Sequence, residues 1–281
     1  MKEGKAKKGI VKWIILVVII AIIAGVCLWY FLYKKPHDEA VKDFNQATEA
    51  VTEKNNELDH TIETVQAVID SNEPPYDEST LTAASTAISD AQSSKRVIPE
   101  LPDKTEEIKQ AAEALKEPLD YTPAITNIMD AKTTLENSIQ QMRQITNPSG
   151  DFVIQRIQGI DGITGVQAAT EDHDPNDNLN KQGGYTAAIY FSLSLINQDE
   201  IIGTDIVDKG TQGGGCIEVY ANVEDAEKRN TYLSAFDGAG MLNPGSHTVL
   251  GTIVIRTSDK LTATQQNEFT QKISDKLLEL Q

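Results

Sequence analysis

The most uniform pattern in the chain is an apolar run from Trp13 to Tyr33, which contains 21 residues and no charged side chain. About 20 apolar residues are enough for a helix to cross the hydrocarbon core of a bilayer. Aromatic residues stand at both ends of the run, where amphipathic rings favour the headgroup region. The pattern therefore predicts a transmembrane helix at 13–33.

Lysines surround this run unevenly, because residues 1–12 hold five lysines and one glutamate, whereas acidic sequence follows Lys35. This asymmetry predicts a cytosolic basic tail at 1–12 and an extracellular location for everything after the run. A cleavable signal peptide has a shorter apolar core that ends in small residues, so an uncleaved single-pass anchor in the cell membrane is favoured. Cys27 leaves lipid attachment as an alternative, although bulky residues follow it.

Residues 36–146 carry apolar positions at heptad spacing. Two series, one from Val41 to Ile69 and one from Phe44 to Val65, alternate by three and four residues, with Thr48 and Asn55 as polar positions in the seam. This spacing predicts a helix that packs on partner helices through a narrow stripe. Three further amphipathic segments between proline-marked turns extend the pattern. We expect an extracellular helical stalk, as a coiled coil or an antiparallel bundle, that could self-associate.

From residue 147 the pattern changes to short runs with a period of two, after a turn sequence at 147–150. Asn222 and the Thr262–Gln265 pair are candidate helix caps. The predicted strands lie near 164–170, 185–195, 216–220 and 248–256, and the predicted helices lie at 151–158, after Asn222 and after Thr262. The whole chain is thus predicted to be α+β, and its distal domain at 147–281 should form a four-stranded, mainly antiparallel sheet with helices on one face.

Charge narrows the choice of partners. The chain carries a net charge of −17, and because its first 35 residues contribute +6, the predicted extracellular part carries −23. Nucleic-acid binding requires clusters of Lys and Arg, and none follows the anchor, so nucleic acid is not an expected partner. Cys216 is the single cysteine after residue 35, which leaves no partner for a disulfide within this part of the chain.

Three segments of the distal domain carry a resemblance to known proteins. They are 170–191 (TEDHDPNDNLNKQGGYTAAIYF), 213–238 (GGGCIEVYANVEDAEKRNTYLSAFDG) and 245–258 (GSHTVLGTIVIRTS), of which the DPN and NKxGGY motifs are the most specific. Together they resemble a recurring domain of membrane- or lipid-anchored surface proteins of Gram-positive bacteria. The resemblance covers about 130 residues of the 281. It implies a single domain outside the cell, and it assigns no catalytic residues.

The loop at 171–184 is a candidate calcium site. Oxygen-bearing side chains alternate along it at Asp172, Asp174, Asn176, Asn178 and Asn180. Hard oxygen ligands at this spacing suit Ca²⁺. The loop lacks the glycine at the sixth position and the glutamate at the twelfth position that an EF-hand requires, so we expect either an incomplete cation site or an ordinary hairpin connection.

Two other sets of residues could carry function. The strand pattern places Tyr190, Glu218, Tyr220 and Arg256, together with Thr252, on a sheet face that the helices would leave open, where Tyr and Arg are typical of binding surfaces. Cys216 could act as a nucleophile if His247 or His173 lay beside it as a base.

These patterns lead to one functional expectation with two alternatives. We expect a non-enzymatic recognition module, anchored to the membrane by 13–33, that binds a protein or cell-wall ligand, with Ca²⁺ as a structural cofactor of loop 171–184. One alternative is an enzyme that faces the cell wall and uses Cys216 and a histidine. The other is a structural spacer or a subunit of a membrane complex.

Overall fold

The apolar run belongs to a long, continuous helix. The structure is a computed structural model that describes residues 3–240 and 243–280. Its first helix, α1, is Glu3–Trp29, and a π-helical turn at Tyr30–Lys34 leads without a break into α2, Lys35–Asp70. Pro36 explains the π turn, because proline cannot donate a backbone hydrogen bond and its ring crowds the preceding turn.

The start of this helix is long and apolar enough to cross a membrane. The stretch that meets this criterion begins at Ile10, its most apolar 18 residues have a mean hydropathy of 3.0, and none of that window is buried inside the protein. The described side chains from Ile10 to Lys35 are all exposed. A helix of this kind is consistent with a single-pass anchor or with a signal sequence.

Four helices make up most of the region from 35 to 146, in agreement with the periodicity of the sequence. After α2 they are α3, Ser79–Ser94; α4, Thr105–Lys116; and α5, Thr122–Gln144. The buried stripe of α2 consists of Ala40, Phe44, Ala47, Val51, Leu58, Ile62 and Val65. Its N-terminal part packs against Ile108, Ala112 and Leu115 of α4.

The helices α2 and α4 run parallel to each other, which differs from the antiparallel arrangement expected from the sequence. His37 lies 3.3 Å from Thr105, near the start of both helices, and Lys116 Nζ lies 2.5 Å from Asp43 Oδ2, further along both. The reason is that α3 and the extended segment 96–102 bring the chain back before α4 begins.

Asn55, one of the two polar residues of the predicted seam, joins separate segments. Its Nδ2 donates to the Arg96 carbonyl at 3.0 Å, and its Oδ1 accepts the Tyr121 hydroxyl at 2.6 Å. The Tyr121 oxygen in turn accepts the backbone N–H of Arg96. A polar residue in a helical seam thus fixes where the loops before α4 and α5 attach.

The chain divides into two compact units. One unit contains Met1–Ser71 and Ala83–Lys132, and the other contains Asn72–Thr82 and Thr133–Gln281. The domain boundary at 147 stays a prediction, and Ile145, which precedes it, belongs to the second unit. Its side chain is fully buried in the core of the distal domain, and its carbonyl accepts the N–H of Thr252 at 3.0 Å.

The distal domain is built on a five-stranded antiparallel sheet. The strands are β1, Ile163–Ala168; β2, Tyr185–Leu193; β3, Gly214–Tyr220; β4, Ser246–Leu250; and β5, Ile253–Thr257, in the spatial order β1-β2-β3-β5-β4. The helices are α6, Gly150–Ile157; α7, Ile206–Lys209; α8, Val223–Ser234; and α9, Ala263–Leu278. The α+β class is confirmed, with five strands in place of four.

The fifth strand arises because the predicted strand at 248–256 is a tight hairpin of β4 and β5. Gly251 begins its two-residue turn with φ +60°, a conformation that glycine adopts readily. A Cβ atom at this position would lie 2.6 Å from the Ile145 carbonyl oxygen, so close packing also requires glycine. The alternation of apolar residues continues through the turn, which is why the sequence pattern resembled one strand.

Both faces of the sheet are covered, which corrects the prediction of helices on one face. On the first face, α6 and α9 pack against apolar residues such as Ile189, Ile217 and Ile255. On the second face, α7 and α8 pack against a cluster that includes Tyr190 and Cys216. Polar residues that alternate with apolar ones are therefore buried as well.

Local signals in the sequence agree with the structure. The Asn222 side chain accepts the Asp225 N–H and caps α8, and Thr262 and Gln265 form a reciprocal capping box at the start of α9.

Tyr185 lies on the second face rather than the first, because the β2–β3 register contains a bulge between Tyr185 and Ala187.

Candidate functional site

A buried carboxylate lies at the centre of the second sheet face. Glu218 of β3 has no exposed surface, and its Oε1 accepts hydrogen bonds from Arg229 Nη2 at 2.8 Å and Arg256 Nη1 at 2.9 Å. Its Oε2 accepts hydrogen bonds from Arg229 Nε at 2.8 Å and the Tyr220 hydroxyl at 2.9 Å. Four donors thus surround a single carboxylate.

The protonation state of this carboxylate follows from the balance of two effects. Burial is the largest single influence and raises the pKa of Glu218, because water no longer solvates the charge. The hydrogen bonds and positive charges of Arg229 and Arg256 together outweigh burial, so the pKa of Glu218 lies below its ordinary value. Glu218 is therefore ionised at neutral pH.

Three elements bring these groups together. Register pairs Cys216 of β3 with Arg256 of β5, which places the Arg256 side chain diagonally next to Glu218 on the same face. Arg229 projects from α8 across this face. The arginines stand 11 and 38 residues from Glu218 in the sequence, so the two contacts depend on the tertiary fold.

A cavity of about 340 Å³ opens beside the arginines. It is lined by Asn176, Thr211, Gln212, Arg229, Tyr232, Leu233, Phe236, Asn243, Pro244, Arg256 and Asp259. The Arg229 guanidinium lies 5.6 Å from the centre of the Tyr232 ring, and the Tyr232 and Phe236 rings are 5.2 Å apart. We call this cavity the arginine pocket. Its volume is within the range of small-molecule sites.

The predicted open binding face is enclosed in the structure. Tyr190, Glu218, Tyr220 and Arg256 are all buried, because α7, α8 and loop 171–184 cover this side of the sheet. Burial raises the pKa of both Tyr190 and Tyr220, so their hydroxyls are neutral. The prediction that these four side chains form an exposed face is therefore wrong, and of the four only Arg256 lines the pocket.

Thr252, expected on the same open face, is also buried. Its hydroxyl accepts the N–H of Asn147 at 2.6 Å and donates to the Ile145 carbonyl at 3.2 Å. Thr252 therefore ties the β4–β5 turn to the segment that precedes α6.

Loop 171–184 is organised by Asp174. Its Oδ2 accepts the N–H groups of Asn178 at 2.7 Å and Leu179 at 2.9 Å, and its Oδ1 accepts the N–H of Asn176 at 3.1 Å and the Tyr185 hydroxyl. Although partial burial opposes ionisation, these hydrogen bonds together lower the pKa of Asp174. Both oxygens of this predicted calcium ligand are thus used within the protein.

Two other predicted calcium ligands also make contacts within the protein. Asn176 Nδ2 donates to the Tyr190 hydroxyl at 3.1 Å, and Asn180 Nδ2 donates to Glu171 Oε1 at 2.8 Å. These contacts account for much of the loop's conformation without a cation. The calcium site formed by Asp172, Asp174, Asn176, Asn178 and Asn180 stays a prediction.

A different group, formed by His173 of this loop and by Asp205 and Asp208 at α7, could hold a metal ion. One ligand atom from each of His173, Asp205 and Asp208 lies within 4.8 Å of the other two. His173 Nε2 is 2.8 Å from Asp208 Oδ1, and His173 Nδ1 is 3.7 Å from Asp205 Oδ2. The hydrogen bond with Asp208 is the main cause that raises the pKa of His173.

This group is difficult to predict from the sequence. Asp205 and Asp208 lie more than 30 residues after His173, and their local role is structural, because Asp205 caps α7 by accepting the N–H of Asp208. Such spacing matches no metal-binding motif. The cap at Asp205 was the one available signal, and it indicates a helix rather than a ligand.

The residues of the enzyme alternative lie on one sheet face but are not neighbours. Arg256 pairs with Cys216 on one side and with His247 on the other, so strand β5, which lies between β3 and β4, separates the thiol from the imidazole. His247 Nδ1 lies 2.7 Å from Asn230 Oδ1, and His247 Nε2 lies 3.2 Å from Asp237 Oδ1. Burial, followed by the charge of Glu218, raises the pKa of the Cys216 thiol.

No family model, curated protein or solved structure matches the chain. The resemblance of 170–191, 213–238 and 245–258 to surface proteins of Gram-positive bacteria therefore stays a prediction. The case for a function rests on the geometry of the arginine pocket, the His173 group and the apolar helix.

Proposed function

We propose that the protein is a single-pass membrane protein that displays its distal domain outside the cell as a non-enzymatic recognition module. The exposed apolar helix that begins at Ile10 supports an anchor. The lysines of residues 1–12 support a cytosolic N-terminus. The acidic sequence after Lys35 is compatible with an extracellular location, since such a surface remains soluble.

The arginine pocket is the observation that carries the recognition role. The rest of the second sheet face is covered, whereas this cavity reaches the buried network of Glu218. Tyr232, with 57% of its surface exposed, stands at the pocket together with Arg229. Arg and Tyr beside a concave surface are typical anchors of a binding site.

The enzyme alternative gains no support from the geometry. A cysteine nucleophile requires a thiolate and an adjacent base. Cys216 is fully buried with a raised pKa, and Arg256 stands between it and His247. The spacer alternative, with self-association of the helical region, is compatible with the helices but offers no role for the pocket.

Display outside the cell can be tested by thiol labelling. We expect Asp90→Cys and Asp199→Cys, both at exposed positions, to react in intact cells with a maleimide that cannot cross membranes. Lys5→Cys, on the other side of the apolar run, should react only after permeabilisation. The wild type is the background control, because Cys27 lies in the apolar helix and Cys216 is buried. Labelling of Lys5→Cys alone in intact cells would contradict the proposed orientation.

Recognition can be tested by the binding of the full chain, in lipid nanodiscs, to isolated cell envelopes. We expect Thr211→Trp, which places a large ring in the pocket lining, to reduce binding, because the ring occupies the cavity. Gln271→Trp on the exposed side of α9 is the matched control and should bind as the wild type does. Equal binding of both variants would exclude the pocket as the recognition site.

For the cation, we propose a transition metal at the His173 group rather than a requirement for Ca²⁺. One imidazole and two carboxylates suit Zn²⁺ or Mn²⁺, whereas Ca²⁺ takes six to eight oxygen ligands. We expect Zn²⁺ to bind the full chain, and His173→Asn to weaken binding about tenfold or more, since one of three protein ligands is lost. Calorimetry measures both effects.

His60→Asn is the control for this titration, because His60 is an exposed histidine of α2. Zn²⁺ affinity that does not change in His173→Asn would contradict the proposed site. Ca²⁺ binding that disappears in Asp172→Asn would instead support the calcium site predicted in loop 171–184.

A further inference from the structure

The buried network around Glu218 has an uncompensated positive charge. Two guanidinium groups, Arg229 and Arg256, share one carboxylate, while the neighbouring tyrosines and Cys216 are neutral because burial raises their pKa values. Asp259 also lines the pocket, but among the described residues it makes no ion pair with either arginine. A buried net charge is costly unless a counter-charge lies nearby.

The Arg256 guanidinium has a hydrogen-bond donor without a partner beside the arginine pocket. It is 92% buried, since 8% of its surface is exposed, and it lines the arginine pocket. Its Nη1 donates to Glu218, whereas its Nε is buried and has no hydrogen-bond partner in the described part of the chain. Buried polar atoms without partners are rare in folded proteins, and such an atom is a reason to look for a ligand.

The two arginines hold different positions in the network. Arg229 is committed to Glu218 through two parallel hydrogen bonds, which fix its orientation. Arg256 makes a single hydrogen bond with the same carboxylate. Arg256 is therefore the residue that can take up a further acceptor while the Glu218 network stays intact.

We propose that the arginine pocket binds the oxyanion of a small ligand, a carboxylate or a phosphate, with Arg256 as the main contact. The anion neutralises the surplus charge, and it supplies the acceptor that Arg256 lacks. Leu233 and Phe236 give the pocket an apolar side, so the ligand also carries an apolar or aromatic group. This inference rests on the proposed function, because it names the ligand class of the same pocket.

Charge selection at this site arises from the interior rather than from the surface. The whole chain carries a net charge of −17, so its general field repels anions. Inside the pocket, low dielectric strengthens the interaction with Arg256. Only an anion small enough to enter a cavity of about 340 Å³ gains this interaction. Large polyanions, such as nucleic acids, are excluded by size.

Benzoate and phenyl phosphate are suitable probes, with the neutral amide benzamide as the matched control. We expect one or both anions to bind the full chain in detergent micelles at low ionic strength, and benzamide not to bind. The difference between benzoate and phenyl phosphate decides between carboxylate and phosphate. Binding should weaken as salt is added, because the interaction is electrostatic. Isothermal titration calorimetry measures each affinity.

Arg256→Gln is expected to weaken anion binding about tenfold or more, the size of one charge-assisted hydrogen bond. Because Arg256 also contacts Glu218, this variant could fail to fold, and Asp259→Lys provides an independent arm. Asp259 is exposed, and its replacement by lysine adds positive charge at the pocket without altering the network. We expect Asp259→Lys to bind the anions a few-fold more tightly than the wild type does.

Either of two results would overturn the inference. One is that neither anion binds the wild type at millimolar concentration. The other is that affinity does not change in Asp259→Lys, nor in Arg256→Gln where that variant folds. The envelope-binding comparison of Thr211→Trp with Gln271→Trp is separate from these titrations. If neither anion binds but Thr211→Trp still reduces binding to cell envelopes, the pocket is a recognition site for a neutral ligand.

Discussion

The distal domain depends on how the carboxylate of Glu218 is accommodated away from water. An ionised side chain inside a sheet would be strongly unfavourable by itself, and its pairing with Arg229 and Arg256 makes its burial tolerable. These contacts connect β3 with α8 and with β5. The second face of the sheet can therefore be closed by helices although its central residues are polar.

The proposed function uses the same side chains that stabilise this part of the domain. Arg229 is held by two hydrogen bonds to Glu218, so it is rigid, whereas Arg256 retains a donor that nothing in the described residues satisfies. Arg256 is itself buried, and a buried donor is well suited to ligand binding, because little conformational freedom is lost when the ligand arrives. The same network thus stabilises the domain and places positive charge beside the arginine pocket of an acidic protein.

Much of the fold could be predicted from local patterns. The apolar run, the helical period of α2, the cap at Asn222 and the capping box at Thr262 all depend on residues close in sequence, and the structure agrees with each of them. The β4–β5 hairpin was missed, because Gly251 stands where the alternation of apolar residues continues without interruption. The burial of Ile145 was also not predicted, because its contact with Thr252 joins residues that are far apart in the sequence.

The candidate site was harder to predict, since its contacts join distant parts of the chain. Tyr, Glu and Arg at alternate strand positions give the same sequence pattern whether water or a helix covers them. The contact between Glu218 and Arg229 of α8, 11 residues away, shows that a helix covers this face. The His173 group depends in the same way on Asp208, 35 residues further along. The residue types thus indicated polar side chains on this side of the domain. How these side chains are arranged could not be predicted, because the arrangement depends on the tertiary fold.

Hydrogen exchange of the full chain in detergent, followed by mass spectrometry, tests the central role of Glu218 most directly. We expect that Glu218→Gln, which leaves the buried Arg256 and the partly buried Arg229 without a counter-charge, accelerates exchange in β3 and β5 relative to the wild type. Glu268→Gln, at an exposed glutamate of α9 that pairs with Lys272, should leave exchange in these strands unchanged. If β3 and β5 of Glu218→Gln exchange at the wild-type rate, the ion pairs of Glu218 are not what holds this sheet face together.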